Sequence, residues 1–289
     1  MSDQAALLSA LAWQIELGAD EAIADTPQDR FAESAPPKDI AAANPAPAPP
    51  TTGTAPAAPR GPDISTRAPD VARPGPTPDV PQNTGPGAAT LAQSAGTLEA
   101  LAEIMKAWDG SPLRETARNF VFCDGNPAAR LMVIGEAPGA NEDRIGKPFV
   151  GRAGQLLDRM LAAIGLDRTA EDPAKAAYIT NILPWRPPGN RTPSEAEAAS
   201  FLPFVIRHIE LAKPDLILSM GNTPTKALLA TGTGIKRMRG TWRRHEATGL
   251  PLLPSFHPAY LLRQPADKRL AWADLLAIRK ALDGAIPDQ

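Results

Sequence analysis

Leu131-Met132-Val133-Ile134-Gly135-Glu136-Ala137-Pro138-Gly139 is a short apolar run that stops at a Gly/Pro turn. A run this short, bounded by turn residues, predicts a buried strand with a tight polar loop at its carboxyl end. Open α/β sheets bind their ligands at that end of their strands. The glycines match neither a dinucleotide fingerprint nor a P-loop, so taken alone the loop leaves its ligand open.

The same pattern recurs further along the chain. Tyr178-Ile179-Thr180-Asn181 runs into a turn-rich loop ending near Arg191, and Leu216-Ile217-Leu218-Ser219-Met220 is stopped by Gly221-Asn222. Leu252-Leu253-Pro254-Ser255 delivers His257 into a loop that begins with Pro258. Helical signals separate these runs. Leu156, Leu157, Met160, Leu161 and Ile164 form one apolar face, Pro193-Ser194-Glu195 opens a helix that runs towards Leu211, and Leu270, Leu275, Leu276 and Ile278 mark a last helix after Pro265. Strands alternating with helices predict an α/β fold, a three-layer α/β/α domain around a central, mainly parallel sheet.

Composition divides the chain into three. Residues 1–24 place Leu7, Leu8, Leu11, Ile15 and Leu17 around Trp13 at amphipathic helical spacing. Residues 25–97 are rich in Ala, Pro, Gly, Thr and Asp, with too few large apolar side chains to offset the entropy of ordering, and read as a disordered linker. Residues 98–289 are long enough for one domain with a sizeable core. No Lys or Arg precedes Arg30, so the basic start of a secretory signal is missing, and no apolar stretch is long enough to span a bilayer. A cytoplasmic, monomeric protein without a membrane partner is expected.

A single cysteine, Cys123, gives no disulfide framework and reads as a small buried apolar residue. The net charge of −2 does not advertise nucleic-acid binding. Its distribution says more, because Lys236, Arg237, Arg239, Arg243 and Arg244 crowd one short segment that suits phosphate contact, against the alternative of an ordinary solvated loop.

Three longer stretches, GEAPGANEDRIGKPFVGRAGQLLDRML from Gly135, YITNILPWRPPGNRTPSEAE from Tyr178 and SFHPAYLLRQP from Ser255, resemble the uracil-DNA glycosylase superfamily. The likeness is closest to its family-4-like branch and covers roughly residues 98–283. It implies a DNA-repair enzyme that flips uracil out of uracil-containing DNA and hydrolyses its N-glycosidic bond, leaving an abasic site. By the same resemblance the base sits among Gly135, Ala137, Pro138, Gly139, Glu142, Phe149 and Asn181. Phe149 stacks on the ring and Asn181 reads its edge, accepting from N3–H and donating to O4, a pattern that cytosine reverses. His257 donates to O2 as negative charge develops. Taken one at a time, Phe149 reads as a core aromatic, Asn181 as a turn residue and His257 as a structural histidine; His208 reads as surface or packing.

Some superfamily members carry an aspartate where this chain has Ala137, so the water's partner is sought among Glu136, Glu142 and Asp143. Glu136 is taken for that role and Glu142 for shaping the loop. Leu261 or Leu262 is expected to fill the gap left by the flipped nucleotide, with Arg263 on a phosphate; the alternative makes both leucines core residues. The stretch from Arg186 to Pro193 has no histidine that could trap the sugar covalently.

Family 4 holds an iron–sulfur cluster with four cysteines, and the matching positions here are Trp108, Ser111, Trp185 and Phe201. One thiol cannot hold a cubane. No metal or cofactor is therefore expected, with aromatic packing in the cluster's structural place. The amphipathic N-terminal segment is read as binding a protein partner or docking loosely. Two other functions stay open: a non-catalytic DNA- or lesion-binding module, and a glycosylase that also takes hypoxanthine or xanthine.

Overall fold

The computed structural model describes residues 87–285, so the expectations for 1–24 and for most of 25–97 fall outside the described residues. The strands are β1 (Cys123–Gly125), β2 (Leu131–Gly135), β3 (Ala177–Asn181), β4 (Leu216–Met220), β5 (Arg243–Arg244) and β6 (Pro251–Ser255), in the order β1-β3-β2-β4-β6-β5. The inner four are parallel, and β1 and β5 add antiparallel edges. The helices are α1 (Ala88–Ser94), α2 (Leu98–Ala107), α3 (Leu113–Thr116), α4 (Ala140–Ile145), α5 (Arg152–Ala162), α6 (Glu195–Ala212), α7 (Asn222–Leu228), α8 (Ile235–Met238), α9 (Pro258–Arg263) and α10 (Lys268–Leu282).

Both faces of the sheet are covered, which is why its parallel strands read as unbroken apolar runs. Leu131, Val133, Ile179 and Leu218 point to one core with Leu157 and Leu161 of α5 and Leu275 and Ile278 of α10. Met132, Ile134, Tyr178 and Ile217, one residue out of step, point to the other with Leu101 of α2 and Phe201, Phe204 and Ile209 of α6. The three-layer α/β/α expectation holds. Ser194 caps α6 reciprocally with Glu197, as the Pro-Ser-Glu opening predicts.

The domain begins earlier than the sequence suggested. Residues 88–94, assigned to the linker, form α1, with Ala92 and Ala95 buried and Leu91 packed on the same core. Arg207 on α6 donates from Nε (3.0 Å) and Nη2 (2.8 Å) to the carbonyl of Ala95. A few small apolar side chains sufficed where compositional bias predicted none. No helix among the described residues is long and apolar enough to cross a membrane.

Candidate active site

The carboxyl ends of β2, β3 and β6 meet around a cavity of about 180 Å³ lined by Ala137, Gly139, Glu142, Phe149, Asn181 and His257, with Ala153 and Ala259 at its margins. Strand order reverses around β2, the place where such sheets leave a crevice. The volume lies below the range of drug-sized ligands and suits a single ring.

Asn181 is the last residue of β3 and is 6% exposed. Its Oδ1 is the one buried side-chain polar atom among the described residues that lacks a hydrogen-bond partner. Buried polar atoms are nearly always paired, so an orphan in a pocket points to a missing donor. Gly135 makes the arrangement possible: a Cβ there would lie 2.4 Å from Asn181 Oδ1 and 2.5 Å from Phe149 Cζ.

His257 is the N-cap of α9. Its Nδ1 accepts the Ala259 N–H at 3.1 Å, so in the neutral ring the proton sits on Nε2. Burial, helped by the charge of Arg263 and opposed by that of Glu142, pulls its pKa down to about 4. At neutral pH it is therefore an uncharged donor whose tautomer is set by the backbone. Its ring lies 5.4 Å from that of Phe149, the two planes 27° apart.

Phe149 adopts a left-handed backbone, with φ of 53°, which a bulky residue reaches only under constraint. Two features supply it. Gly154 lets α5 approach so closely that a Cβ there would lie 1.8 Å from the Phe149 carbonyl oxygen. Arg168 grips the loop from the other side, donating to the carbonyls of Pro148 and Phe149, each at 3.0 Å, while its Nε donates to Asp158 at 2.7 Å and its Nη1 meets Asp124 at 3.2 Å. Nothing in the sequence signalled Arg168.

The three acids take different places around the loop. Glu136 does not line the cavity, and its Oε2 accepts a 2.6 Å hydrogen bond from Thr223. Glu142 does line it, but its carboxylate already accepts from the N–H groups of Gly139 (3.1 Å), Val150 (2.9 Å) and Gly151 (2.8 Å), tying the two loops together. Asp143 is buried and takes the N–H groups of Arg118 and Asn119. Ala137 meets the cavity where Glu136 does not. Pro138 is buried behind it.

Two DNA-contact expectations are corrected. Leu261 is 1% exposed in the core, leaving Leu262, partly buried, as the remaining wedge candidate. Arg239 is held by buried Asp274, donates to the Leu270 carbonyl at 2.8 Å and lies over the Phe256 ring. Lys236, Arg237, Arg243, Arg244 and Arg263 are exposed. His208 is buried packing: its Nε2 meets the Tyr178 hydroxyl at 2.8 Å, its ring stacks on Phe122, and burial lowers its pKa to about 3. Cys123 is only half-buried on β1, and desolvation pushes its thiol pKa up.

At the four positions matched to cluster cysteines, the Trp108 indole packs edge-on against Phe201 at 5.1 Å, Trp185 lies 5.0 Å from Phe120, and Ser111 Oγ accepts from the Leu113 N–H. Indole, phenyl and hydroxyl groups do not form the thiolate set of an iron–sulfur cluster. Among the described residues no group of three or more His, Cys, Asp or Glu is placed to hold a metal ion.

Fold and pocket together define an α/β/α domain with a small cavity at the carboxyl edge of its sheet, lined by a buried amide, a phenyl ring and a histidine. The description "Uracil DNA glycosylase superfamily" matches residues 122–276, and the chain belongs to that superfamily. It is similar to the type-4 uracil-DNA glycosylases of Pyrobaculum aerophilum (37% identical over 175 residues, 58% of this chain and 86% of that protein) and Thermotoga maritima (37% over 175 residues, 59% and 86%). The type-4 enzyme of Saccharolobus solfataricus is 36% identical over 192 residues, 64% of this chain and 86% of that protein.

Proposed function

We propose that this protein removes uracil from DNA by hydrolysing the bond between the base and its deoxyribose. The observation that carries the reading is the orphaned acceptor of Asn181 in a ring-sized cavity beside Phe149 and a neutral His257. A flipped uracil supplies the missing donor with N3–H and accepts at O4 from the other end of the amide. Cytosine offers an acceptor at N3 and a donor at C4, leaving two mismatched pairs. Flipping costs a few kcal/mol, and stacking on Phe149 offsets part of it.

As the C1′–N1 bond breaks, its electron pair stays with uracil and positive charge grows on the sugar. The Nε2–H of His257 donates to O2 as the negative charge builds there, without first giving up a proton. A water adds its oxygen to C1′ and its proton passes to the uracil anion, so uracil and an abasic sugar leave. Glu136 is held by Thr223 through one oxygen and Glu142 by three backbone N–H groups, so each acid is oriented by the protein and a weakly activated water suffices. An oxocarbenium-like centre needs only a positioned water. Lys236, Arg237 and Arg263 supply phosphate contacts near the pocket, while Arg243 and Arg244, paired with Leu252 and Pro251 at the amino end of β6, would reach phosphates farther along the DNA.

Incubation with oligonucleotides carrying one uracil, followed by alkali, should cleave at that position and leave thymine controls whole. An intact uracil strand under enzyme excess overturns the reading. We further propose that the enzyme works without an iron–sulfur cluster, since aromatic side chains occupy the matching positions. The purified protein should be colourless and keep its activity after chelation. Stoichiometric iron with a visible charge-transfer band would refute this.

A further inference from the structure

A second, wider cavity of about 660 Å³ opens on the same carboxyl edge of the sheet, lined in part by Asn222, Thr233, Lys236, Arg237, Phe256 and Tyr260. One loop divides it from the base pocket: Phe256 and Tyr260 face the wide cavity, while His257 and Ala259 face the small one. No carboxylate is among its lining residues. Asn222 spends its Oδ1 on the Ile235 N–H (2.8 Å), which leaves its amide N–H groups as donors. Lys236 and Arg237 are exposed and, unlike Arg239 beside them, form no ion pair among the described residues. The Tyr260 ring packs against Phe256 at 4.8 Å and is fixed by a 2.5 Å hydrogen bond from its hydroxyl to Asp267.

Two cations, an amide, a hydroxyl and a braced aromatic ring, with no acid, are the complement of a nucleoside monophosphate: phosphate on the cations, base against the ring. The two cavities adjoin across this loop, so a strand whose uridine enters the small pocket can set its next nucleotide in the wide one. We propose that the wide cavity is a subsite for a nucleoside monophosphate unit, supplied by the nucleotide adjoining the flipped uridine on the same strand; this rests on the uracil-excision reading. The enzyme then grips the damaged strand itself, apart from its complement.

The test uses the full chain and single-stranded oligonucleotides ending at uracil or extended from it by one, two or five nucleotides on either side. Adding the first nucleotide on one side should tighten wild-type binding about tenfold. Lys236→Gln combined with Arg237→Gln should lose most of that increment and flatten the salt dependence by about one to two in slope. Tyr260→Leu should lose part of the increment without changing the slope. Both cations are exposed, so thermal melting of the double variant should match wild type and exclude misfolding. An increment of equal size in wild type and double variant overturns the subsite. Free thymidine monophosphate that competes equally with short and long strands would also overturn the strand assignment, by showing a site for free nucleotide. Failure of wild type to release uracil from the longest strand counts against the excision reading instead, so the two failures are separable.

Discussion

Asn181 is costly to the free protein, because a buried amide oxygen without a donor forfeits roughly 1–3 kcal/mol. Asn181→Leu, similar in volume and without the orphan, should therefore melt at or above the wild-type temperature while uracil excision falls at least a hundredfold. A residue that merely terminates β3 would show the reverse, a lower melting temperature with excision kept. His257 gives a second contrast. Its folded pKa, about 4, lies below the ordinary 6.5, so the native state excludes a proton that the unfolded chain binds. Stability from this group is complete above about 6.5 and is lost as pH falls towards 4, at up to roughly 1.4 kcal/mol per pH unit. His208, held to about 3 by burial, acts in the same sense. The neutral imidazole, however, persists until about 4. Single-turnover excision should stay flat from pH 8 to about 5 while melting temperature already declines, and His257→Ala should slow excision by roughly two to three orders of magnitude at every pH on the plateau. A rate that rises as pH falls towards 4 would identify the charged ring as the donor and refute this assignment.

At the scale of elements, the Phe149 loop depends on a residue 19 positions later in the chain. Arg168→Ala removes two carbonyl bonds and frees the left-handed backbone to relax, so the stacking ring should drift from the base. Misplacement by about 1 Å costs up to a hundredfold in rate. The expected result is a tenfold or greater loss of excision rate at saturating DNA with DNA affinity nearly unchanged. Arg168→Lys should recover little, because a single ammonium nitrogen cannot span both carbonyls and both carboxylates that Nε, Nη1 and Nη2 of the planar guanidinium reach. In Phe149→Ala the ring is already gone, so adding Arg168→Ala should cost no further rate although it still lowers the melting temperature; additive rate losses would rule out positioning. The contrast between Phe149 and Arg168 shows what the sequence could reveal. Strands ending in Gly/Pro loops, and helices opening at Pro-Ser-Glu, carry local period and turn chemistry, so β2, β3, β6 and α6 were legible, and with them the edge on which Asn181 and His257 sit. Arg168 acts through backbone carbonyls far away in sequence, and Asp274 claims Arg239 across 35 positions, so neither leaves a local signature. Leu261 and Leu262 are adjacent on α9, and only the packed helix decides which one enters the core.

For the molecule as a whole, the question is where the folded unit starts. The proposed catalytic motifs all lie beyond residue 130, and among the described residues α1 is the first element to contribute to a core. A chain beginning at Gly87 should melt as the full chain does and excise uracil at the same single-turnover rate. Beginning instead at Thr97 keeps the N-cap of α2, whose Oγ1 accepts from Ala100, but deletes Leu91, Ala92 and Ala95 from one face of the domain. It also strips the acceptor from the Arg207 guanidinium, which still pairs with Glu210 at 2.8 Å. Losing the burial of Leu91 and two alanines, together with a charge-assisted hydrogen bond, should cost roughly 2–4 kcal/mol. In a domain of this size that lowers the melting temperature by roughly 5–15 °C. The pocket itself lies at the far ends of β2, β3 and β6, so excision per folded molecule should survive at temperatures below the new transition. Thermal melting of the two truncations beside the full chain, with excision assayed at 20 °C, separates the alternatives. If the chain from Thr97 melts with the chain from Gly87, α1 is an appendage and the domain starts where composition alone had placed it.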